Sequence, residues 1–191
     1  MRVTPYLVGA LVLGAVSMAP AVARARTTTP ATTAAPAATP MAALDDPTIV
    51  AIFDAANTWD IEASSIAEKK ATTKEIRNLA TMFVHDHSAV RQQGRDLAKK
   101  LNVTPTPPKD FALAATHAEA MQKLNSTSGK EFDRVYLENE VAYHKAVIDA
   151  IKGTLLPATQ NAEVKDLETK VAPAFEAHMM AAQRLLDGLP K

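Results

Sequence analysis

The chain has 191 residues, with 21 Lys plus Arg balanced by 21 Asp plus Glu, and it contains no cysteine. The balance excludes the basic excess of a nucleic-acid binder, and the absence of cysteine excludes disulfides, thiolate metal sites and a cysteine nucleophile. Aromatic residues make up only 5%, which favours helices over strands, because strands are filled by β-branched and aromatic side chains.

Residues 1–25 read as a secretory signal peptide. Arg2 gives the positive start, an apolar stretch runs from Leu7 to Met18, and Pro20 breaks it. Two small-x-small cleavage sites follow, Ala21-Val22-Ala23 and Ala23-Arg24-Ala25. Export to the periplasm is therefore expected. The alternative is an uncleaved membrane anchor, which requires the span to tolerate Gly9, Gly14 and Pro20. Removing Arg2 and Arg24 with the signal leaves 19 basic groups against 21 acidic ones, too mild a charge to imply a partner. Residues 26–45 are rich in Thr, Ala and Pro, with too little apolar bulk to offset chain entropy. They are expected to form a disordered linker that associates the domain with the envelope.

A bundle domain is expected over residues 46–189. Its first helix starts with Asp46 as cap and Pro47 in the first turn, and its apolar stripe is Ile49, Ile52, Phe53, Ala56, Trp59, Ala63 and Ile66. The second starts at Thr72, with capping-box spacing to Glu75. Its seam alternates by four and three through Ile76, Ala80, Phe83, His87, Val90, Gly94, Leu97 and Leu101. Pro105, Pro107 and Pro108 stop it. A shorter helical segment is expected over residues 110–124. The third long helix begins at a second capping box, Ser128 to Glu131, carries Leu137, Glu140, Val141, His144, Ile148 and Ile151, and ends at Pro157. The fourth runs from about Asn161 to Leu186, with Pro173 expected to kink it. Tight turns join the first helix to the second and the third to the fourth, while nearly 30 residues separate the second from the third. Two antiparallel hairpins with one long helical crossover define an all-α, ferritin-like four-helix bundle.

Three segments resemble a known family: Phe83-Val84-His85-Asp86-His87, Phe132-Asp133-Arg134-Val135-Tyr136-Leu137 followed by His144, and Pro173 through His178. Their order is similar to that of the domain-of-unknown-function family 4142, exported bacterial proteins of the ferritin-like superfamily. The resemblance covers the whole expected bundle. It implies fold and export, and no reaction.

His87, His144 and His178 each replace an apolar residue on a core seam, and each sits on a different helix. Buried imidazoles need partners. One reading is a site for a single transition-metal ion, zinc, iron or copper, held by His87, His144 and His178 with Glu140 or Glu62 as oxygen ligand. Others are a buried network that fixes helix register, a small-ligand cavity, and a proton-linked switch. The residues three before these histidines are Val84, Val141 and Phe175, so the Glu-x-x-His pairs of a di-iron site are absent. Helix arithmetic places Glu62 roughly 7 Å off the level of His87. Counted from about Ala158, Glu140 and His178 fall level and His144 a turn away. His85 is expected to be solvated, His117 packed or at the surface, and Asp133 and Arg134 to be cap-region and surface charges. Met179 and Met180 are adjacent, so both cannot face the core as copper(I) ligands. No phosphate loop, serine elbow or HExxH motif is present. The expected role is non-enzymatic, in binding or in the envelope, with metal binding through the core histidines as the alternative.

Overall fold

A computed structural model describes residues 44–108 and 112–190, all helix and connecting turns. The expected signal peptide and almost all of the expected linker lie outside the described residues. The elements are α1 (Asp46–Lys70), α2 (Lys74–Lys100), α3 (Ala112–Ser126), α4 (Gly129–Ala150), a π-helical turn (Ile151–Leu155), α5 (Leu156–Ala158) and α6 (Ala162–Asp187). α1 packs along α2 and α4 along α6, each pair an antiparallel hairpin. α2 also packs on α6 and α1 on α4, while α3, the crossover, lies across α1 and α4. This is the ferritin-like arrangement that the connection lengths require. No helix of the described residues is long and apolar enough to cross a membrane.

The caps differ from the expected ones in instructive ways. Asp45, not Asp46, caps α1, accepting from the Thr48 N–H at 2.9 Å. Asp46 instead accepts from the backbone N–H groups of Gln160 and Asn161 and so ties the start of α1 to the turn before α6. Thr73, not Thr72, caps α2. Thr72 is diverted to Asp133, whose carboxylate accepts from both the Thr72 N–H (2.8 Å) and its hydroxyl. Asp133 is therefore the cap-region charge expected, but it is buried and caps the α1–α2 turn rather than the start of its own helix. Ser128 makes no side-chain cap bond. Gly129 follows it at φ +62°, a conformation that favours glycine.

Pro157 does not end the helix on which it lies. The chain stays helical through Ala158, but widens into the π turn just before the proline, where Leu156 N–H bonds the carbonyl of Ile151. Pro173 lies inside a continuous α6.

Two apolar clusters fill the bundle. One holds Ile49, Phe53, Val147, Ile148, Val164, Val171 and Phe175; the other holds Ile76, Phe83, Leu124, Phe132, Tyr136 and Leu137. Each large side chain contributes roughly 1.5–3 kcal/mol by leaving water. Gly94 admits the Phe53 ring: a Cβ there would sit 2.9 Å from it. Buried polar residues also occupy the core: Asn57, Asp60, Ser64, His87, Glu140, His144 and His178.

Candidate metal centre

α2 supplies His87, α4 supplies His144 and α6 supplies His178, each at a seam position that the apolar periodicity reserves for the core. Their exposures are 3%, 1% and 5%. His87 Nε2 is 3.3 Å from His144 Nε2 and 3.2 Å from His178 Nδ1. His144 and His178 stand level at His87, where the sequence count sets them a turn apart. The helical chain runs on to Ala158 and the connection ends at Asn161, the cap of α6, so the hairpin turns later than assumed. His144 and His178 each lie 17 residues from Asn161.

The outer nitrogens determine what the inner ones can do. Asn57 donates its amide NH₂ to the Phe53 carbonyl at 2.8 Å, which turns its oxygen towards His87. His87 Nδ1 must therefore carry the proton it gives to Asn57 Oδ1 (2.9 Å). His144 Nδ1 donates to the carbonyl of Glu140 (3.0 Å), and His178 Nε2 donates to the carboxylate of Asp86 (3.1 Å). Each neutral ring then presents a bare lone pair inward: Nε2, Nε2 and Nδ1. Three acceptors facing one another at hydrogen-bond distance cannot satisfy each other. A donor or a cation placed among them would complete all three. Pinning one imidazole nitrogen to an amide, a carbonyl or a carboxylate is also how metal-ligating histidines are oriented.

Burial disfavours supplying that cation as a proton. It drives His144 down to about 3, with the neighbouring His178 adding to the effect. Burial also pushes His87 well below the usual imidazole range, helped by the other two rings. His178 is lowered by burial too, against the opposing pull of Asp86.

A carboxylate lies beside two of the three rings. Asp60, on α1, is 1% exposed, and its Oδ2 has no hydrogen-bond partner. It lies 3.5 Å from His87 Nε2 and 3.6 Å from His144 Nε2. Ligands at 2.0–2.1 Å around one tetrahedral ion stand roughly 3.3 Å apart, so these separations fit. Asp60 was missed in the sequence, although it follows Ala56 by four and precedes Ala63 by three, on the face of α1 that packs inward. Trp59, read there as a stripe residue, instead stacks on His117 with ring centroids 5.1 Å apart.

Glu140 is fully buried but does not join the three imidazoles directly. With Asp60 and His144 it forms a second group whose potential ligand atoms all lie within 4.8 Å of one another, just as those of the three histidines do. Burial and the neighbouring Asp60 push the Glu140 carboxyl far above its ordinary range, so it keeps its proton. Burial raises Asp60 to about 7, while hydrogen bonds from Glu140 and Ser64 hold it lower than burial alone would. Glu62 is away from the centre: it bonds His117 of α3 at 2.8 Å and is half exposed. The helix offset expected for Glu62 has this consequence. His85 is exposed and pairs with Asp86.

Residues 31–185 match the family described as Domain of unknown function (DUF4142), and the chain belongs to it. Among solved structures it is similar to a DUF305 fragment from Deinococcus radiodurans, with a TM-score of 0.67 and 13% identity over 75% of this chain and 95% of that one. It is also similar to CopM in its Cu(II)-bound form, with a TM-score of 0.61 and 15% identity over 77% of this chain and all of that one. CopM in an Ag-bound form matches at 0.61 and 13%, over 78% and 99%. At these identities the likeness establishes the fold. No curated protein matches.

Proposed function

We propose that this chain is an exported, non-enzymatic metal-binding bundle that holds one divalent first-row ion through His87, His144, His178 and Asp60. The observation that carries the reading is the set of three converging lone pairs, each enforced by an outer hydrogen bond, beside an orphaned carboxylate oxygen. Three imidazoles and one carboxylate suit zinc(II) or copper(II), and the set contains no sulfur to favour a soft monovalent ion. Four protein donors would close the coordination shell. Closed sites store or stabilise, whereas catalytic sites keep a position open. That Cu(II) and Ag have been seen in CopM concerns CopM; it supports the reading only as a precedent for metal on this fold. The signal-like N-terminus supports export, and the Pro- and Thr-rich segment after it supports attachment near an envelope surface.

The test is a thermal titration of the purified chain with zinc and with copper(II). One ion per chain and a melting temperature that climbs with ion concentration are expected. A melting temperature indifferent to both ions, with none co-purifying, overturns the reading.

A further inference from the structure

A centre buried this deeply needs an access route. Around the three histidines, two sides are closed by aromatic rings: Phe83 lies 4.6 Å from His178 and 5.1 Å from His144, and Phe175 stacks 4.9 Å from His87, between ring centroids. A void of about 10 Å³ near Tyr143 and Val147 holds at most one water. On the Asp86 side the His178 ring is itself the plug, since both its nitrogens are engaged, one outward and one inward.

The remaining side differs. A cavity of about 100 Å³ lies between α1, α3 and α4, room for several waters at the roughly 10–15 Å³ each requires. Asp60 and Glu140 line it, together with Ala63 and Tyr143, and exposed Ala142 and Ala146 flank it on α4. Asp60 Oδ2 and Glu140 Oε2 are buried with no donor beyond the proton the two carboxyls share, and Glu140 Oε2 lies 3.5 Å from His144 Nδ1. Asp60 is thus shared: it lines the cavity and also faces His87 and His144.

Resting on the metal reading above, we propose that this cavity is the port through which the ion reaches the histidines, and that Glu140 with Asp60 is a transit site for the partly hydrated cation. A divalent ion entering here exchanges waters for the orphaned oxygen of Glu140, then for that of Asp60. It moves to the imidazoles while Asp60 stays bound throughout. The transit site explains why a fully buried glutamate stands one turn from His144 without joining the three rings.

The port is tested by plugging it at residues that touch no donor. Ala142→Trp and Ala146→Trp are surface changes, and circular dichroism checks that each variant folds. Cobalt(II) chloride is mixed rapidly with the full chain, and the visible absorption of the bound ion is followed in time. Loading is expected to slow by about tenfold or more in both variants, to the same final stoichiometry as wild type, because binding to a buried site depends on its access path. Glu140→Gln, which leaves the cavity open but replaces the carboxyl with a weaker amide ligand, is expected to slow loading too. Plugged variants that load at the wild-type rate overturn the port and place access on the Asp86 side. A wild-type chain that takes up no cobalt at all overturns the metal reading itself, a distinct failure.

Discussion

Two buried carboxylates on this bundle, Asp133 and Asp60, are equally hidden, each 1% exposed, yet they are of opposite kinds. Asp133 accepts two hydrogen bonds from Thr72, one from its backbone and one from its hydroxyl, and so fixes the α1–α2 turn. Its charge is satisfied and the site is complete. Asp60 has only Ser64 and the neighbouring Glu140 carboxyl to answer it, and turns its Oδ2 towards imidazole nitrogens of His87 and His144. A buried charge left incomplete costs several kcal/mol unless something else completes it. The contrast separates polar burial that specifies a fold from polar burial that, on the proposed reading, a ligand completes.

The largest effect that sharpens this contrast comes from the satisfied site. Asp133→Ala removes the carboxylate that accepts both the Thr72 N–H and its hydroxyl at a part-buried turn and should destabilise by roughly 2–4 kcal/mol, read as a lower urea midpoint. The ion stoichiometry of the folded fraction should not change. A loss of metal with no loss of stability would invert the assignment. On the proposed reading, the ion is the missing partner at the second site. Zinc at 100 times its dissociation constant should stabilise the wild type by about 2.7 kcal/mol, and chelation should reverse it. Asp60→Asn should lose most of this gain.

The metal-free chain gives a smaller, pH-dependent effect. The unfolded chain protonates His144 near 6.5, whereas the folded one does so only near about 3. Between those values the unfolded state binds the extra proton, so this group removes stability as pH falls through the window. The slope is about 1.4 kcal/mol per pH unit for one proton. Urea midpoints in EDTA between pH 6 and 4 should therefore fall more steeply for wild type than for His144→Leu. Parallel curves would mean that His144 is already charged. The smallest effect belongs to Glu62, whose bond to His117 is half exposed. Glu62→Gln should change stability by less than about 0.5 kcal/mol and leave metal content untouched.

The helices, their order and the long crossover were legible in the sequence because apolar periodicity and connection length leave few other packings. The three histidines were legible for the same reason, as polar interruptions of an apolar seam. Caps were harder: Asp45 and Asp46, or Thr72 and Thr73, are chemically equivalent neighbours, and tertiary partners at Gln160 and Asp133 choose between them. The level of His144 with His178 depended on a π turn and on a proline tolerated near a helix end, neither of which has a periodic signature. Asp60 was within reach, as a charged residue in step with Ala56 and Ala63. Asn57, which orients His87, becomes visible only once its amide is seen held by Phe53.

Metal content tests the central claim most directly. Wild type and His144→Ala are purified from the same compartment, shown to be folded by circular dichroism, and analysed for bound transition metals. One ion per wild-type chain and a marked loss in the variant are predicted. Equal content in the two folded proteins, or none in either after exposure to zinc and copper(II), would contradict a metal centre built on the core histidines.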